Sequence, residues 1–210
     1  MPRPIVPLID QAEVVAKALE IIDRDGLEGF NLRKIGRELG VNPASLYHHF
    51  RDKEAILHGV RMLVIQESHV AEPSRPDERW QDLLRRTTVR YRRALLRHPN
   101  AVSLMAPNIL LRPFSLSLRD GIAEALLARG VPARFAFAII DGVESLVYSS
   151  VLLNPEQLGP KARLPLRTTD HVPSLAKAIK AAPRSAEKVF AMELDAMIVG
   201  WSTMVGEADE

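Results

Sequence analysis

The stretch "NLRKIGRELGVNPASLYHHF" (31–50) constrains this chain more than any other. Asn31 is a strong N-cap, and Leu32, Ile35 and Leu39 recur at helical spacing behind it. Gly40 supplies the left-handed residue that ends a helix. Asn42 and Pro43 then start another helix at once, the first as cap and the second as first helical residue. Two short helices on so tight a turn must cross steeply, which is a helix-turn-helix arrangement. Leu46 and Phe50 lie four apart on the second helix, expected over Pro43–Phe50, and anchor it to a core. Pro43, Ala44, Ser45, Tyr47 and His48 are left to face outward.

That outward face suits DNA. Small residues at the front of a helix allow approach to base edges: Ala44 can touch a thymine methyl, and Ser45 can bond a base or a phosphate. Arg33, Tyr47, His49 and Lys53 are candidate phosphate partners. Charge supports this locally. Residues 31–53 hold five basic and two acidic side chains, a net of +3, although the whole chain carries only +2. His48 and His49 do not form a metal pair, because adjacent helical residues diverge by about 100°. No metal site is expected.

The remaining pattern is helical, without convincing apolar–polar alternation, so the expected fold is all-α. Asp10 with Glu13 opens a helix that stops at Asp25-Gly26. Asp52 caps a fourth helix with Ile56, Val60, Leu63 and Val64 on its apolar stripe. "AEPSRPDE" (71–78) breaks the pattern and divides a helix-turn-helix DNA-binding lobe (1–70) from an effector-binding and dimerisation lobe (71–210). The second lobe opens with a helix from Trp80, followed by helices over 115–128, 133–153, 174–182 and 185–205. Residues 154–173 are Pro-rich and read as a long loop. Arg86, Arg90, Arg93 and Arg97 share one face and suit either a nucleic-acid patch or a solvated face with salt bridges.

Candidate pocket residues are Asp141, Glu144 and Tyr148 on the apolar helix 133–153, with Met105, Phe114 and Trp201 as apolar walls. Each has a plainer alternative, as core or at a subunit contact. There is no Cys, which excludes disulfides and thiolate chemistry. No apolar run approaches the roughly 18 residues a membrane helix needs, and "MPRPIVPLID" has no signal-peptide pattern. A cytoplasmic protein with no membrane partner is expected. No G-x-S-x-G, H-E-x-x-H or phosphate-loop motif is present, so no catalytic residue and no cofactor is assigned.

"FNLRKIGRELGVNPASLYHHFRDKEAIL" (30–57) resembles the tetracycline-repressor (TetR) family of one-component regulators. "WQDLLRRTTVRYRRALLRHP" (80–99) and "VFAMELDAMIVGW" (189–201) look like parts of the effector domain of its tetracycline-sensing branch. The resemblance implies DNA contacts at Arg33, Pro43, Ala44, Ser45, Tyr47, His48, His49 and Lys53. It also implies a homodimer on palindromic operator DNA, released by a small-molecule effector. Extended without a gap from "RRALLR", the resemblance puts Met105 where tetracycline-sensing members carry a magnesium-binding histidine. Methionine is a poor magnesium ligand, so the effector is not expected to be a tetracycline–magnesium chelate. An enzyme with a pocket in the second lobe, or an adaptor that no longer reads DNA, are the rival classes.

Overall fold

The computed structural model describes residues 10–70, 75, 77–105, 113–153, 172–183 and 185–206. They form α-helices joined by turns and two 3-10 segments, with no strand among the described residues. Four helices make the first lobe: α1 (Gln11–Asp25), α2 (Leu32–Leu39), α3 (Pro43–Leu46) and α4 (Lys53–Ser68). Local chemistry sets each start. Asp10 accepts from Ala12 N at 2.9 Å, Asn31 from Lys34 N at 2.9 Å, Asn42 from Ala44 N at 2.9 Å and Asp52 from Ala55 N at 2.8 Å. Gly40 ends α2 with φ of 67°. Asn31→Ala removes one of these caps and is expected to cost about 1 kcal/mol, read as a lowered denaturation midpoint. An unchanged midpoint would show that water replaces the cap without loss.

The second lobe holds α5 (Trp80–Arg97), α6 (Val102–Met105), α7 (Pro113–Leu127), α8 (Ala133–Leu152), α9 (Pro173–Ala181) and α10 (Ala186–Gly206). α6 is too short to show a period in the sequence. The expected 154–173 loop lies outside the described residues except Val172 and Pro173, and Pro173 already belongs to α9.

One expected boundary differs. The second helix of the motif was expected to reach Phe50, but α3 stops at Leu46. Tyr47, His48 and His49 continue as a tighter turn, with their N–H groups bonded three residues back at 3.1–3.3 Å. Gln11 Nε2 donates to the His49 carbonyl at 2.8 Å, which fixes the turn from outside. The chain must then reverse within two residues to reach the Asp52 cap.

Core residues form one continuous cluster through both lobes. In the first, Ile22, Phe30, Ile35, Leu46, Ile56 and Val60 are fully or nearly fully buried. In the second, Leu95, Ile139, Val147, Phe190 and Leu194 are equally enclosed. α4 packs on both α1 and α5 and so belongs to both. Polar contacts reinforce this seam. His98, at the end of α5, places Nδ1 2.7 Å from Asp23 Oδ2 on α1 and Nε2 3.0 Å from Glu67 Oε2 on α4.

α8 and α10 are long and apolar enough, by length and composition, to cross a membrane, with mean hydropathies of 1.5 and 1.3. This corrects the expectation that no stretch reaches that length. The windows over α8 and α10 reach it because an apolar stretch of that length can contain up to two charged residues.

Candidate DNA-reading surface and interior cavity

α2 and α3 cross over Gly36. A Cβ there would lie 2.8 Å from Pro43 Cγ and 2.9 Å from the Val41 carbonyl oxygen. Val41 N donates to the Gly36 carbonyl at 2.8 Å, so the crossing is bonded as well as packed. Leu46 is buried and Phe50 packs against the core, leaving the opposite side of α3 to solvent. Ala44, Tyr47 and His48 are exposed there, Tyr47 by 59%. Pro43, Ser45 and His49 are half-buried.

Arg33 and Lys53 are exposed on flanking helices. Lys53 Nζ donates to the Phe30 carbonyl at 3.3 Å and sits 4.9 Å from the centre of that ring. Its position is therefore tied to Phe30 within the protein. Lys34 is turned away instead, 2.6 Å from Asp25 Oδ2. Hydrogen bonds from Arg24 and Lys34 hold the Asp25 carboxyl down at about 2. Among the described residues no cluster of three His, Asp or Glu is placed to hold a metal ion.

The arginine face of α5 is engaged within the protein. Arg86 makes a bidentate pair with Glu78, both bonds at 2.7 Å, and this pair is largely buried. Arg93 meets Glu187 at 3.2 Å and Arg97 meets Glu67 at 3.5 Å. Of the two roles open to this face, the geometry favours salt bridging. Arg92, which the sequence did not mark, is buried. Its Nε donates to Ser150 Oγ at 2.9 Å, and its guanidinium stacks 4.5 Å from the Phe190 ring centre.

A cavity of about 90 Å³ lies among α4, α5, α6, α7 and α8. A neighbouring, more open cleft of about 870 Å³ shares Ile65, Leu84, Thr87, Leu118 and Ile122 with it. Of the expected pocket residues, Met105, Glu144 and Tyr148 border the cavity. Asp141 and Trp201 do not. Asp141 is half-exposed, 3.9 Å from Arg119, and Trp201 packs on Phe135 with ring centres 6.0 Å apart. Phe114 lies in α7, but its side chain is outside the described residues.

The cavity is apolar with a few fixed polar groups. The Tyr91 and Tyr148 hydroxyls meet at 2.7 Å with their rings edge to face. Burial pushes both phenols up, Tyr148 to about 12, so they stay neutral. Burial also raises Glu144, while its two contacts to Arg119 oppose the rise. Arg61 on α4 is only 7% exposed and also borders the cavity. Its Nη2 donates to Glu54 Oε1 at 2.6 Å, whereas Nη1 has no hydrogen-bond partner among the described residues.

Residues 14–60 match the family described as bacterial regulatory proteins, tetR family, and residues 72–205 match the tetracyclin repressor-like C-terminal domain. The tetracycline repressor protein class E of Escherichia coli is 26% identical over 201 residues, covering 93% of this chain and 92% of that protein. A variant of TetR from Acinetobacter baumannii AYE, solved in complex with minocycline, superposes with a TM-score of 0.74. It is 25% identical, over 93% of this chain and 94% of that one. Apo ActR from Streptomyces coelicolor gives a TM-score of 0.76 at 25% identity, over 95% and 98% of the two chains. The chain belongs to the tetR family of bacterial regulatory proteins, ligand-responsive DNA-binding repressors with an N-terminal helix-turn-helix and a helical C-terminal domain.

Proposed function

We propose that this chain is a homodimeric repressor, released from a palindromic operator when a small molecule occupies the cavity beside α4. The observation that carries the reading is that one helix serves both ends. Arg61 and Ile65 of α4 border the cavity, while Lys53 at its first turn is seated against Phe30 beside the reading helix. A ligand that favours one position of α4 thereby favours one position of the reading head, and differential binding to two states lowers DNA affinity.

Each subunit presents Pro43, Ala44, Ser45 and His48 to one major-groove half-site. Arg33, Tyr47, His49 and Lys53 neutralise or bond phosphates, which gives salt-dependent affinity without sequence choice. The half-sites lie about 34–36 Å apart, or a multiple of that. Residues 1–70 act as the DNA-binding unit and 71–210 as the effector-binding and dimerisation unit. The dimer forms through α8 and α10, whose Phe137, Met192 and Val199 are 61%, 60% and 64% exposed on one chain. Two such helices from each subunit make a four-helix seam.

The protein works in the cytoplasm, without catalysis and without a membrane partner. Asp141 near the middle of α8 would cost about 2.5–3.5 kcal/mol inside a bilayer. Met105 at the cavity offers magnesium no hard ligand, which argues against a tetracycline–magnesium chelate as the effector.

Gel shifts on DNA upstream of this gene and its neighbours test the proposal. A discrete complex that outcompetes random DNA at moderate salt is expected. Tyr47→Ala and Lys53→Ala should each weaken it by roughly tenfold or more, in line with about 1.5–3 kcal/mol per hydrogen bond to a charged phosphate. Circular dichroism reports whether the fold survives in both. Wild-type binding without sequence preference would overturn the reading, and unchanged affinity in both variants would overturn the assigned surface.

A further inference from the structure

The effector cavity contains a positive group that the protein leaves half-satisfied. Arg61 lies at i+4 from Leu57 and i−4 from Ile65, so it sits within the buried stripe of α4. Among the described residues its ion-pair partner is Glu54, which is 55% exposed and reaches Nη2 alone. Among the described residues the buried Nη1 donors have no partner, and an unsatisfied buried donor is costly. The other charges bordering the cavity do not offset it. Glu144 is engaged by Arg119, and both tyrosines are neutral. One phenol donates to the other, which leaves one O–H of the pair available to an acceptor. The surrounding walls, Ile65, Leu118, Ile122, Val143 and Val147, are apolar.

We infer that the effector is an organic acid, an apolar ring body carrying a carboxylate that Arg61 Nη1 binds. This rests on the cavity being the effector site. A carboxylate accepts charge-assisted hydrogen bonds from guanidinium, which are stronger than neutral ones. It neutralises Arg61, whereas a primary amide of the same shape can accept from Nη1 through its carbonyl but supplies no charge. It also draws on the guanidinium that Glu54 shares, so acid and Glu54 compete for one group on α4. Because α4 carries the reading head, the contact that holds the acid is made by the helix whose position sets DNA affinity.

The experiment uses the full chain and three probes, benzoate, 2-naphthoate and anthracene-9-carboxylate, each beside its primary amide. Calorimetry at pH 7.5 measures affinity, with every acid ionised. At least one acid is expected to bind tenfold or more tightly than its amide. Arg61→Met should erase that preference by weakening the acid far more than the amide. Glu54→Gln should raise acid affinity, because the competing carboxylate is gone. If Arg61→Met does not fold, Glu54→Gln decides alone, and unchanged acid affinity overturns the inference. It is also overturned if no acid exceeds its amide, whether or not either binds, or if Arg61→Met keeps the preference. Operator release, followed by fluorescence anisotropy, separates this from the wider reading. Acid binding through Arg61 without DNA release retains the acid site and rejects the effector role. DNA release by an amide as readily as by its acid retains the effector role and rejects the acid.

Discussion

Gly36→Val is expected to lower operator affinity by roughly 100-fold or more and to destabilise the first lobe by about 1–3 kcal/mol. The new Cβ meets Pro43 Cγ at 2.8 Å, Pro43 Cδ at 3.1 Å and the Val41 carbonyl oxygen at 2.9 Å. None of these is the far end of a flexible side chain. Two belong to the ring that opens the reading helix, and the third is backbone held by the Val41–Gly36 hydrogen bond. Relief requires α2 and α3 to separate, which moves Ala44 and Ser45 relative to the groove. A base-edge contact is worth about 1–3 kcal/mol, and two misplaced contacts account for the expected loss. Gly36→Ala meets the same atoms with fewer of its own and should fall between. Gel shifts and thermal melts check both numbers. Full operator affinity in Gly36→Val would mean that the crossing does not set the reading geometry.

Val199→Asp is expected to convert the dimer to a monomer of 23.4 kDa and to remove operator binding at any concentration where the wild type is saturated. Val199 lies outside its own chain's core, so the substitution leaves the folded subunit intact. In a two-fold interface the residue occurs twice. Leaving one unpaired charge buried costs about 3–5 kcal/mol, and here there are two. A shift of that size raises the dimer dissociation constant by more than 1,000-fold. Operator binding fails with it, because linked half-sites gain their affinity from simultaneous engagement. Light scattering after gel filtration gives the mass directly. A dimer that persists with unchanged affinity would place the seam on another face.

Features decided within one turn of chain were legible in the sequence. Asn31, Asn42 and Asp52 cap helices because the acceptor and the N–H it reaches are two or three residues apart. Gly40 ends α2 because its backbone angle alone requires it. The end of α3 was not legible, since a side chain 38 residues away ties the His49 carbonyl. The α5 arginines were undecided for the same reason, their partners Glu78, Glu67 and Glu187 coming from other segments.

The cavity was half-legible. Glu144 and Tyr148 lie four apart and share the face of α8 turned inward. Asp141, three residues earlier, does not border the cavity and instead lies half-exposed, 3.9 Å from Arg119 of α7. Arg61 had a sequence signal that was missed: a cation at i+4 from Leu57 and i−4 from Ile65, inside an apolar stripe.

The seam formed by α4 has a consequence for how such regulators are recombined. A reading head is often treated as a cassette to be joined to a new sensor at the linker. Here Ile65 and Val70 are buried against the sensor's own walls, and His98 of α5 holds Asp23 and Glu67 together. A graft cut near residue 70 would carry an uncovered apolar strip and two stranded carboxylates. The transplantable unit is therefore the head together with the matching face of α5, and a chimera must import that face along with the operator preference.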